Sequence, residues 1–169
     1  MRSDVQPKRV ANELGVPWDL TEWFAPALLC QWLQEEVETL DWSNPEVVEY
    51  LRTHPAYQPK VLLCLLTFAY ATGVYESEEI VRRSESEESF RSLCGRHAPS
   101  SDKALIRFRR ENRGLLKWSL TQLFKRALKA RLGELRLPAG LKGRLLDAAV
   151  TRLGMARQMD RGSDGLCGL

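Results

Sequence analysis

Little in this chain resembles a strand, a metal site or a nucleophile. Its four cysteines, Cys30, Cys64, Cys94 and Cys167, stand at least 30 residues apart. That spacing supplies no CxxC or CxxH half-site, so zinc is not expected. Three of the four lie in or beside apolar helical runs and read as buried or incidental thiols. Of the two histidines, His54 precedes a proline and His97 lies in a basic loop. Neither has a Ser, Cys or acid arranged around it for nucleophilic chemistry. No Gly-rich phosphate loop is present, and Glu35-Glu36-Glu38 reads as a set of solvated acids. The longest apolar run, Val61 to Val74, is broken by Thr67, Thr72 and Gly73, well short of the roughly 20 residues of a membrane span. Behind Arg2, Asp4, Lys8 and Arg9 there is no apolar stretch, so the N-terminus does not read as a signal peptide. These absences predict no metal, no cofactor, no membrane partner and a cytoplasmic location.

Acidic residues are scarce in one half only. Residues 1–95 hold 8 Lys+Arg against 16 Asp+Glu, whereas residues 96–169 hold 17 against 6. The formal net charge of +3 therefore hides two opposed halves. Between Lys103 and Arg131 stand ten basic residues and a single acid, Glu111. That much self-repulsion predicts an anionic partner, and nucleic acid is the first candidate. With 44% hydrophobic and 28% charged residues, the chain is that of a globular protein rather than a disordered one.

Helix punctuation runs the length of the sequence. Leu28, Leu29, Trp32, Leu33, Val37 and Leu40 recur at helical spacing and predict a helix from Pro26 to about Leu40. Ser43-Asn44-Pro45 predicts a short helix through Leu51. Lys60 to Thr72 reads as the most buried helix, stopped by Gly73. Short helices are predicted from Ser77 and from Ser86 to Leu93. A long basic helix then opens at Ser101-Asp102 and passes Phe124, with a break expected at Gly114. Pro138 opens a last helix to about Arg152. The fold class is all-α, a compact multi-helix domain with a helix-turn-helix-like core. The divisions are an N-terminal arm (1–19), a helical domain (20–132), a C-terminal helix (133–156) and a flexible tail (157–169).

At about 100° per residue, Lys103, Arg107, Arg110, Lys117 and Thr121 fall within roughly 80° of arc on the long helix. Leu105, Phe108, Leu115, Leu116, Ser119, Leu120 and Leu123 lie opposite. One face packs and the other projects cations, as a helix laid on a duplex requires. The predicted DNA-binding residues are Lys103, Arg107, Arg109, Arg110, Arg113 and Lys117. His97, beside Arg96, is a further candidate for phosphate contact. Trp18, Trp23, Trp32, Trp42 and Trp118 read as core aromatics rather than base-stacking platforms.

Three pieces of the sequence resemble, in order and spacing, the N-terminal domain of bacterial insertion-sequence transposases of the InsH type. Tyr57-Gln58-Pro59 opens a leucine-rich helix closing on Gly73-Val74, as the family's "Y-x-P" does. Ser89-Phe90-Arg91-Ser92-Leu93-Cys94-Gly95 is similar to its "F-R-W-L-C-G". Leu105-Ile106-Arg107-Phe108-Arg109-Arg110 is similar to its "T-I-S-R-F-R-R". The resemblance covers about residues 20–125 and implies a helix-turn-helix-like domain that recognises transposon-end DNA through Lys103 to Arg113. In such transposases a separate RNase H-like domain carries the acidic triad and its divalent metal. Here Asp164-Gly165 has no apolar strand before it, so no enzymatic activity is expected.

The chain departs from the family pattern at Ser77-Glu78, at Ser101-Asp102 and in the acidic stretch Ser84 to Glu88. A stand-alone or domesticated DNA-binding protein, nucleoid-associated and partnered by double-stranded DNA, is the leading expectation. The alternative is a protein-interaction or regulatory subunit whose acidic half docks a basic partner, either in a homodimer or in a larger complex. A truncated remnant without a task is a third reading.

Overall fold

Apart from Thr67, the segment Leu62 to Ala71 offers no small polar side chain to water, so it has to be surrounded rather than laid on a surface. The computed structural model describes residues 16–40, 59–133 and 139–167, with side chains as far as residue 161. Among these residues the chain is all-α. A 3₁₀ turn at Leu20–Glu22 precedes α1 (Pro26–Glu38), α2 (Pro59–Ala71), α3 (Ser77–Ser86), α4 (Glu88–Cys94), α5 (Asp102–Glu111), α6 (Arg113–Leu132) and α7 (Leu141–Cys167). The short helix expected at residues 43–51 and the proline expected to open the last helix lie outside the described residues.

Helix α2 is the central rod. Every residue from Leu62 to Ala71 is buried, and α1, α4, α6 and α7 all pack against it. Each fully buried Leu or Phe contributes roughly 1.5–3 kcal/mol relative to exposure, so this rod supplies much of the driving force for folding. The Thr67 hydroxyl is satisfied: Thr67 Oγ1 donates to Ser119 Oγ of α6 at 3.0 Å. Phe68 meets Phe90 of α4 edge to face, ring centres 5.1 Å apart. The rod ends at Gly73, whose φ of +86° is the left-handed conformation that glycine adopts without penalty. There Val74 N donates back to the Ala69 carbonyl at 2.8 Å, which closes a Schellman-type stop.

The ends of the domain are more tightly held than expected. Val16 is fully buried, so the last residues of the supposed N-terminal arm belong to the core. The last helix does not fade near Arg157: it continues to Cys167. It packs along α6 as well as α2 through Leu145, Ala148, Ala149, Leu153 and Ala156. The two ends meet at Arg152, which is 0% exposed. Its guanidinium donates to the Ala148 carbonyl at 3.1 Å and to the Pro17 carbonyl at 2.9 Å. It lies between the faces of Trp18 and Phe124, 4.7 and 4.5 Å from their centres. Burial lowers its pKa, and the carbonyls and ring faces offset part of the cost of burying the charge.

Candidate nucleic-acid interface

Helix α5 is built from the inside out. Asp102 stands in its first turn, where a carboxylate complements the helix dipole. Leu105 and Phe108 are fully buried beneath it, while Lys103, Arg107 and Arg110 are exposed on the other side. Arg107 pairs with Glu111 one turn on, at 3.2 Å.

The expected break in the basic helix exists, but at Asn112 rather than Gly114. Asn112 leaves helical geometry (φ −127°, ψ 36°), and its side-chain amide donates to the Phe108 carbonyl at 3.1 Å. A side-chain amide inserted into the helical ladder gives a bend a local cause. Gly114 instead sits inside the first turn of α6. The single line of cations thereby becomes two pieces. Lys103, Arg107 and Arg110 stay on α5, and Arg113 and half-buried Lys117 pass to α6.

Arg109 is a correction. It was expected to face DNA, yet it is 5% exposed and pairs with Asp160 of α7. Burial works against its charge, but Tyr70 and Asp160 beside it outweigh burial and raise its pKa. Asp160 also accepts from Ser77 N at 2.9 Å and from Ser77 Oγ at 2.7 Å, so it caps α3 from another helix. One carboxylate thus joins α3, α5 and α7, and Arg109 is unavailable to a ligand.

Farther along α6 the basic charge is partly consumed within the molecule. Arg126 pairs with Glu35 at 2.6 Å and with Glu36 at 3.6 Å. It also lies over the Trp32 ring at 5.1 Å, and Arg131 lies over Trp23 at 5.2 Å. Hydrogen bonds from Gln31 and Arg126 hold the Glu35 carboxyl below its ordinary pKa. The acidic and basic halves of the sequence therefore meet in part at the α1–α6 contact.

Two hollows flank α5. The wider, about 600 Å³, is lined by Arg96, His97, Ser100, Ser101, Lys103 and Arg107, among others. The narrower, about 190 Å³, lies between α5–α6 and α7 and includes Arg110, Arg113, Arg157 and Arg161. The wider one brings His97 beside two predicted cations. Arg157 and Arg161 were missed, since they fall in a glycine-rich stretch without apolar periodicity. Among the described residues no cluster of His, Cys, Asp or Glu suits a metal ion. None of the described helices is long and apolar enough to cross a membrane.

An all-helical domain that buries the underside of one helix and turns that helix's cations outward defines a class of charge-presenting helical domain. Residues 31–111 match the family model described as Transposase domain (DUF772). The match runs from α1 to the last residue of α5, and α6 and α7 follow it. No curated protein and no solved structure matches the chain.

Proposed function

We propose that the chain binds duplex DNA in the manner of an InsH-type transposase N-terminal domain, as a non-enzymatic recognition module. Helix α5 lies against the duplex, with α4 and the Gly95–Ser101 turn before it completing a helix-turn-helix-like unit. Lys103, Arg107 and Arg110 face phosphates from α5, and Arg113 and Lys117 extend the contact past the bend. The observation that carries this reading is α5 itself, which buries Leu105 and Phe108 while exposing three cations, within the transposase-family match. Guanidinium groups offer the planar fork that suits phosphate and guanine edges.

Fluorescence anisotropy on a labelled duplex of about 30 base pairs, titrated at several salt concentrations, tests it. Five phosphate contacts predict a log–log salt slope of about −4.5 or steeper and binding at micromolar or lower concentration. Replacing Lys103 and Arg107 together by alanine flattens the slope by about 2. Absence of binding at the lowest salt rejects the reading. A dimer that dissolves in high salt, without any DNA shift, would favour the protein-interaction alternative. That alternative must contend with acidic residues of α1 already engaged by Arg126.

A further inference from the structure

We propose that the narrow cleft between the α5–α6 bend and α7 holds one backbone phosphate of the bound duplex. The inference deepens the DNA-binding reading and rests on it. Each wall carries two arginines. Arg110 and Arg113 stand on either side of the Asn112 bend, and Arg157 and Arg161 are four residues apart on α7. Ile106 and Leu153 contribute apolar surface between them.

The cleft's one carboxylate, Asp160, is buried and occupied by Ser77 and Arg109. Among the described side chains that line the cleft, no free acid is left to neutralise the rim. Among the described residues no ion pair engages Arg110, Arg113, Arg157 or Arg161. Like charges that face one another across a gap and lack a protein counter-ion favour an anion between them. Guanidinium pairs converging from two sides suit a tetrahedral oxyanion by bidentate donation. The volume, about 190 Å³, is that of about six waters at roughly 30 Å³ each. That is room for a phosphate with part of its hydration and too little for a base pair. Arg157 and Arg161 lie beyond the family match at residues 31–111, so half of this site comes from the chain's own last helix.

The test titrates the intact protein with inorganic phosphate at constant ionic strength, following the arginine Nε–Hε signals by NMR, alongside duplex anisotropy. The expected result is a saturable shift of the Arg110, Arg113, Arg157 and Arg161 signals. It disappears in R157A/R161A and persists in K103A/R107A. The R157A/R161A variant also flattens the duplex salt slope by about 1, the share of one phosphate. R157K/R161K keeps the charge and the fold but loses the fork, so it should recover the slope and only part of the phosphate affinity. A linear, unsaturable phosphate response, or a salt slope for R157A/R161A equal to that of the parent, overturns the cleft while leaving duplex binding through α5 intact. Saturable phosphate binding by a protein that shows no duplex binding overturns the DNA reading instead, and makes free phosphate the ligand of the cleft.

Discussion

At the scale of single residues, Asp160 carries the largest consequence. Asp160→Ala strips the cap from α3 and leaves the Arg109 guanidinium buried without its partner. Breaking such a buried pair from one side typically costs about 3–5 kcal/mol, and urea denaturation should read a loss of that order. The double variant D160A/R109M should recover part of it, because no orphaned charge remains. Buried phenols and thiols set a second expectation. Burial pushes Tyr70, Tyr75 and Cys64 up to about 12, and Cys94 up to about 11. The folded chain holds these protons more tightly than the unfolded one. Their contribution is therefore complete below the ordinary values of 9.0 for the thiols and 10.0 for the phenols, and is lost as pH rises toward 12. Each tyrosine accounts for about 3 kcal/mol of that loss. Stability measured against pH should fall steeply through this window, and Tyr75→Phe should soften the fall. The burial of Arg109 was legible in the sequence: it follows Leu105 by four positions and so shares its face. It was obscured because a run of arginines invites reading by charge rather than by angle. Its partner was not legible, since nothing near Asp160 in sequence says that this carboxylate meets residues 51 and 83 positions away.

Among the helices, α1 to α4 matched their sequence patterns to within a residue or two, because caps, prolines and apolar spacing all agreed there. The bend between α5 and α6 did not, although a break in that region was expected. Glycine lowers helix propensity wherever it occurs, but at Asn112 a side chain competes directly for a backbone carbonyl, and that competition decides the position. Gly114 is left as a helical residue with open space around it, and so is Gly154 in α7. Alanine at either position should then raise stability by about 0.5–1 kcal/mol, read as a higher urea midpoint. A decrease at Gly114 would mean that the bend depends on it after all. The sequence pattern ends the last helix near Arg152 because the glycines of the tail outweigh Leu153 and Ala156, yet the helix continues to Cys167. Small residues at that spacing let it lie close against α6.

Over the whole molecule, the family-matched segment does not close its own core. Leu116, Leu120, Leu123 and Phe124 of α6, all fully buried, lie after residue 111, and α6 makes its largest contact with α7. A chain ended after Gly133 would expose that face and strand Arg109. It should lose near-UV circular dichroism and bind ANS while retaining much of its helical far-UV signal, as a state with helices but no fixed packing does. The charge division of the sequence has a structural counterpart at Arg126, but only in part. The cations around α5 remain directed outward, which the net charge alone could not have located.

Asp160 also acts as a mechanical stop. Its two oxygens are fixed to the start of α3 and to the last turn of α5, so α7 cannot slide by a turn or roll on its axis without breaking a buried ion pair. The separation between the opposed arginine walls is thereby set as by a calliper. If the cleft takes a phosphate, its helical walls stand at a set distance before the anion arrives, and only the exposed arginine side chains have to close on it.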